Sequence, residues 1–398
     1  MIHHHGRKCR MKTETIELPP LAPGARYELT MHTFGSGESG RSAYVQAGLH
    51  ADEHPGLLVA HHLIGLLAEL ERERLLTGTV VVCPFANPVG LSQRIFGMPT
   101  GRFNLENGEN FNRAFPDIAP EISAMSGDWT FARNDISQIK RAFAGCLERH
   151  RRADTVGALK FVLLREALRH DVVLDLHCDT AGVLHLYANR AQTARAESLA
   201  RAMEIGTVLV EEYAGGEPFD ESFMRPWRAA VEAGWVDPDR SGFCASIELR
   251  GQADVDDVMA AEDARGIVRF LAREGLVELG EGEADRADIH ALFQPRGNPV
   301  RPDVFPLEGA SHLRAPATGI VVYLKHPGDQ VSSGELIAEI VALEGDPVAA
   351  RVEVRSDVDG VFLVGQQFRL VRAGQRVALL AGTAMLPGRK PGKLLNDF

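Results

Sequence analysis

Ser42-Ala43-Tyr44-Val45-Gln46-Ala47-Gly48-Leu49-His50-Ala51-Asp52-Glu53-His54-Pro55 decides how the rest of the chain is read. Ser42 to Ala47 is a strand-like run and Gly48 breaks it. Pro55 opens a stretch, to Leu76, with apolar residues at Leu58, Leu63, Leu66, Leu67 and Leu70, which is the spacing of a helix with proline in its first turn. His50 and Glu53 thus fall on a strand-to-helix turn, at the carboxyl end of a strand, where open α/β sheets build their ligand sites. A second strand-like run, Val172-Val173-Leu174, leads into Asp175-Leu176-His177 and supplies a third donor, His177. Two histidines and one carboxylate, with a fourth position for water, is the donor set of a catalytic zinc site.

The same letters also spell His-x-x-Glu-His, in which His50 and His54 would bind zinc from one helical face with Glu53 as base. That needs helix through 50–54, and proline disfavours the α conformation in the residue before it. His54 is therefore expected to be extended, and the strand-to-helix reading is preferred. Alternation puts Asp175 on the same side of its strand as His177, beside the ligand or at the sheet end. Cys178 and Asp179 are read as non-ligands, and His61 and His62 as ordinary helix residues.

Glu248, in Ala245-Ser246-Ile247-Glu248-Leu249-Arg250, is costly to bury ionised in an apolar strand unless paired. The bland reading is a salt bridge to Arg250 or another arginine; the functional one is a general base acting on zinc-bound water. The Gly/Pro/Asn-rich span 87–116 is long enough to be functional. It contains Asn112-Arg113, a fork and a donor suited to a substrate carboxylate. Arg102 and Arg94 are the options for a cation on the oxyanion, and Arg102 is preferred because it lies nearer Asn112-Arg113.

Strands at 27–34, 42–47, 79–83, 172–176, 184–187 and 245–249 alternate with helices at 55–76, 136–167, 192–205 and 255–274. This predicts an α/β domain with a mostly parallel or mixed sheet flanked by helices. Gly35-Ser36-Gly37 is read as the turn between the first two strands. The division expected is a leader over 1–25, an α/β domain over 26–280, a linker over 281–310 and a small all-β domain, barrel-sandwich-like, over 311–398. That last span repeats weakly: Ala315 to Gly319 precedes Gly334, and Ser356 to Gly360 precedes Gly374. The two copies resemble the halves of a biotinyl/lipoyl-type fold, but no lysine stands in a carrier hairpin.

With 398 residues, two domains are the prior. Lys+Arg 43 against Asp+Glu 54, a net −11, excludes the basic footprint of a nucleic-acid binder. Five dispersed cysteines without Cys-x-x-Cys fit a reducing compartment, and the cytoplasm is the expected location. No apolar run approaches a membrane span of roughly 18 residues. The polar start is not a signal peptide, and His3-His4-His5 is read as part of a leader or of a stretch ahead of a true start at Met11.

Together, Gly-x-His50-x-x-Glu53, Asn112-Arg113-x-Phe115-Pro116, Asp175-Leu176-His177 and Glu248 resemble the succinylglutamate desuccinylase/aspartoacylase family of the zinc carboxypeptidase superfamily, over roughly 40–275 and into the β domain. The resemblance implies one Zn2+ per chain on His50, Glu53 and His177, with Glu248 as base and proton shuttle. It implies Asn112 and Arg113 on a substrate carboxylate, and a homo-oligomer, although no interface is legible. The family's substrate tyrosine has two options, Tyr323 and Tyr213, with Tyr323 taken. The function expected is a deacylase that cleaves the amide of a small N-acylated amino acid. The alternatives are a metallocarboxypeptidase acting on peptides, against which an entrance-narrowing β domain speaks, and a non-catalytic scaffold using that domain.

Overall fold

The structure is a computed structural model describing residues 11–35, 37, 40–125, 127, 132–278, 300–344, 348 and 351–394. His3-His4-His5 and most of the span read as a linker lie outside the described residues. A nine-stranded sheet forms the centre of the larger unit, in the order Lys12–Glu17, Glu28–Phe34, Thr79–Cys83, Ser42–Ala47, Val172–Asp179, Phe243–Gly251, His185–Asn189, Thr207–Glu211, Asp303–Pro306. Five of its eight pairings are parallel, so the sheet is mixed with a parallel majority. Alternation along the central strands serves two faces. Ala43, Val45, Leu174, Leu176, Ala245 and Ile247 pack under the helices Pro55–Arg72, Thr193–Met203 and Asp257–Arg273. Tyr44, Val173 and Cys244 face the helices Ile136–Leu147, Thr155–Ala167 and Phe219–Glu232. No helix among the described residues is long and apolar enough to cross a membrane.

Three expectations about organisation need correction. Glu28–Phe34 and Ser42–Ala47 are not neighbours, because Thr79–Cys83 lies between them and pairs with both. Lying between the two, Thr79–Cys83 has both edges paired and its Val80, Val81 and Val82 side chains buried. The span read as a leader contributes Lys12–Glu17, an edge strand antiparallel to Glu28–Phe34. The span read as a linker contributes Asp303–Pro306, which extends the opposite edge beside Thr207–Glu211. Both are short edge additions, without the apolar run that marks a central strand.

The C-terminal β unit has two antiparallel sheets around a core that includes Val321, Ile337, Ile340, Phe362, Val377 and Leu380. The two sequence copies form equivalent pairs: Gly319–Tyr323 with Leu336–Ala342 in one sheet, and Gly360–Gly365 with Arg376–Gly382 in the other. The larger unit lends this domain a strand. Ala181–Gly182, just beyond His177, pairs with Gly360–Gly365. Beside it, Thr180 Oγ1 donates to Gly365 O at 2.8 Å and Arg376 Nη2 donates to Asp179 Oδ1 at 2.7 Å.

Candidate metal centre and active site

Gly48 ends its strand at φ +70°, and a Cβ there would stand 2.7 Å from Leu57 Cδ2, so glycine is required for the turn. The turn closes with the Glu53 N–H donating to His50 O at 3.2 Å, and the helix begins at Pro55 as the sequence predicts. The pre-proline rule predicts an extended His54, but the residue adopts φ −73°, ψ −27°. Its carbonyl already accepts a hydrogen bond from Leu57 N at 3.0 Å, which offsets the steric preference. With no continuous helix over 50–54, the inverted motif does not form.

His50, Glu53 and His177 are each at least 96% buried, and their donor atoms lie within 4.8 Å of one another. Glu53 Oε1 is 3.0 Å from His50 Nδ1 and Glu53 Oε2 is 2.8 Å from His177 Nδ1. The far nitrogen of each ring faces an oxygen acceptor. His50 Nε2 is 2.8 Å from Asn110 Oδ1, and His177 Nε2 is 2.9 Å from Asp175 Oδ2. These acceptors hold the ring hydrogens on Nε2, which turns both Nδ1 lone pairs toward Glu53, the orientation a metal ion needs. Gln46 Nε2 donates to the other Asp175 oxygen at 3.0 Å and fixes it in turn.

The electrostatics also fit a cation. Burial pushes the Glu53 carboxyl up, but the two imidazoles outweigh burial and hold it well below the usual range. Burial lowers His177, yet Asp175 and Glu53 raise it well above its ordinary value. Burial, with the Arg102 guanidinium next in size, lowers His50. The donor set thus favours positive charge at one point, and the three residues can hold a divalent ion.

Glu248 is the register partner of His177 on the adjacent parallel strand, and both side chains are on the same sheet face. The strand then shifts register between Glu248 and Gly251, with Arg250 at φ +66°. A bulge of this kind re-aims side chains beside active sites. The salt bridge to Arg250 does not form, because Arg250 binds Asp263 at 2.8 and 3.0 Å. Among the described residues Glu248 makes no side-chain hydrogen bond or ion pair. Burial raises its pKa to about 8; His177 opposes this, and Glu53 and Asp179 add to it.

The long loop docks directly on the motif. Ala51 N donates to Gly101 O at 3.0 Å, and a Cβ on Gly101 would lie 2.3 Å from Asp52 N. This contact delivers Arg102, whose Nη1 reaches Glu53 Oε1 at 3.1 Å and His50 Nδ1 at 3.3 Å. Arg94 is elsewhere, donating to the carbonyls of Leu91 and Gln93. Asn112 Nδ2 stands 3.5 Å from His177 Nε2, while its Oδ1 accepts from Phe219 N at 2.8 Å. Arg113 Nη1 donates to Asn112 O at 2.6 Å, and Arg113 has no ion pair among the described residues. Tyr323 is not brought to this group. Its hydroxyl donates to Val377 O at 2.5 Å and accepts from Gln366 N at 2.7 Å inside the β unit. Tyr213 lies under Arg225 at 5.0 Å. The roles of Asn110 and Gln46 were invisible in the sequence, since one is a polar residue in a polar loop and the other an isolated amide in an apolar strand.

Residues 39–273 match the model of the succinylglutamate desuccinylase/aspartoacylase catalytic domain. No curated protein matches the chain. Among solved structures, a family protein of the same description from Shewanella amazonensis SB2B is 24% identical, with a TM-score of 0.78 over 93% of this chain and 98% of the other. One from Shewanella frigidimarina NCIMB 400 is 22% identical, with a TM-score of 0.76 over 94% and 98%. The ectoine utilization protein of Ruegeria pomeroyi, in its product-bound form, is 17% identical, with a TM-score of 0.63 over 94% and 96%. At these identities the likeness is one of fold.

Proposed function

The chain belongs to the succinylglutamate desuccinylase/aspartoacylase family, and on that premise we propose that it is a zinc-dependent amidohydrolase releasing a small acyl group from an N-acylated amino acid or a related carboxylate-bearing amide. The observation that carries this reading is the convergence of His50, Glu53 and His177 beside Glu248, which has no hydrogen-bond or ion-pair partner among the described residues. When bound there, zinc supplies a Lewis acid that polarises the amide carbonyl and acidifies water, to a pKa of ~7 in well-studied enzymes.

The remaining work falls to the chain. Glu248 takes the proton of the attacking water on its carboxylate and returns it to the leaving amine. Arg102, held over Glu53, donates to the carbonyl oxygen as negative charge develops there. Arg113, with most of its fork uncommitted, grips the substrate carboxylate, and Asn112 steadies it between the His177 strand and Phe219. Asp175 keeps the His177 ring oriented.

The test pairs metal analysis of the purified protein with an amine-release assay over N-acyl amino acids (acetyl, succinyl and others), with His177→Ala as control. The expected result is about one zinc per chain, reduced in His177→Ala, and release from one panel member. Zinc without release from any acyl amino acid, but with release from short peptides, would replace this reading with a carboxypeptidase. No zinc after reconstitution would remove it.

A further inference from the structure

A cavity of about 470 Å³ opens between the helix Phe219–Glu232 and the sheet, and none of the metal-centre residues lines it. Two arginines on its wall are already neutralised. Arg225 pairs with Asp117 at 2.7 Å, and Arg228 pairs with Glu212 and Glu232, both at 2.8 Å. Three further carboxyl groups in the lining, Glu211, Asp220 and Glu221, form no ion pair among the described residues, although the Arg113 guanidinium lies within electrostatic reach of Asp220 and Glu221. Asp220 accepts from the Ser246 hydroxyl at 3.0 Å, and Glu221 accepts from the Ala214 and Gly215 backbone N–H groups.

Glu211 has nothing comparable. It ends the strand Thr207–Glu211, is 6% exposed, and among the described residues accepts no hydrogen bond and forms no ion pair. Arg190, the cation that acts on it, is tied to Glu308 at 2.6 Å. Burial, with Asp220, Glu221 and Glu308 beside it, holds Glu211 well above the usual carboxylate range. Ionising a carboxyl group at this depth is costly unless something else supplies the opposite charge, which a bound cation would do.

We propose that this cavity binds a small organic cation, a primary ammonium or guanidinium on an aliphatic stem, with Glu211 as its principal counter-charge. The volume is that of a small-molecule site, for which roughly 300–1,000 Å³ is usual. Ala188, Met224, Ala229 and Cys244 supply apolar wall for the stem. A metal ion does not suit it. Among the described residues only His50, Glu53 and His177 bring three ligand atoms within 4.8 Å of one another. The proposal is independent of the amidohydrolase reading and survives its failure.

Calorimetric titration of the full chain tests it, with lysine and arginine, with cadaverine and agmatine, and with the neutral isosteres norleucine and citrulline. At least one cation should bind at about one site per chain, with its neutral isostere weaker by about tenfold or more. Preference for lysine or arginine over the matching amine assigns the ligand as an amino acid; the reverse assigns it as a polyamine-like base. Glu211→Gln should weaken cation binding by about tenfold or more while leaving zinc content unchanged. His177→Ala should bind the cation undiminished, which separates this cavity from the metal centre. If Glu211→Gln does not fold, Met224→Trp, which fills the cavity from the helix side, should abolish binding instead. Cation binding absent at millimolar concentration, matched by the neutral isosteres, or undiminished in these cavity variants would overturn the proposal.

Discussion

The core of the C-terminal β unit buries aliphatic and aromatic side chains such as Ile337, Ile340 and Phe362, whereas the carboxyl ends of the large sheet bury Glu53 and Asp175, each within hydrogen-bond distance of His177. The first arrangement obeys the hydrophobic rule and stabilises. The second breaks it and is held in place by surrounding structure, because a half-partnered buried charge is worse than an apolar wall. The difference teaches where function sits: in the region whose local chemistry opposes burial but whose geometry is fully braced.

Glu248→Gln should break the comparison most sharply. It removes the base and almost no volume, so kcat should fall by ~10²–10⁴-fold with zinc content and melting temperature nearly unchanged. Steady-state kinetics beside metal analysis reads this, and wild-type turnover would sink the assignment. Phe362→Ala is the mirror case. Phe362 is fully buried, and its truncation should cost about 3–5 kcal/mol in denaturant unfolding while kcat per folded molecule holds. An equal loss of kcat would show the two regions to be inseparable in function.

Asp175→Asn leaves the shape and changes the acceptor on His177 Nε2; zinc affinity should drop by roughly 10–100-fold, measured by chelator competition. The smallest effect concerns pH. Burial, with Arg376 and Arg389 next, depresses the His312 pKa to about 3. The unfolded chain, with an ordinary histidine pKa of ~6.5, takes up this proton first. Stability therefore falls as pH drops from about 6.5 toward 3, by about 2 kcal/mol at pH 5. Urea melts of wild type and His312→Gln at pH 7 and 5 should show a shallower pH dependence in the variant.

Legibility in the sequence followed pattern strength. Ser42–Ala47 and Thr79–Cys83 emerge with their observed bounds because β-branched or apolar runs are punctuated by glycine and proline. The candidate metal ligands are legible because two histidines and a glutamate stand at or just past the ends of strand-like runs. Thr207–Glu211, although as long as Thr79–Cys83, escaped because its apolar run is only Val208-Leu209-Val210 between Thr207 and Glu211, and the helix Phe219–Glu232 because Pro226 interrupts its pattern. Arg102 could be preferred over Arg94 only by proximity in sequence; what brings its guanidinium beside His50 and Glu53 is the close approach of Gly101 to Ala51 and Asp52, a tertiary contact. Tyr323 misled because a tyrosine's letter does not tell where its hydroxyl bonds, and here it is spent on Val377 and Gln366.

The two-residue strand Ala181–Gly182 belongs by chain position to the unit that carries His177 and by hydrogen bonding to the other. A chimaera joined in the intervening segment would cut along the wrong seam. The incoming cap would meet Gly360–Gly365 without its matching edge, and Asp179, two residues from His177, without Arg376. The transplantable module is therefore discontinuous: the C-terminal span together with Asp179–Gly182. Relatives that exchanged caps during evolution would have had to exchange that four-residue socket as well.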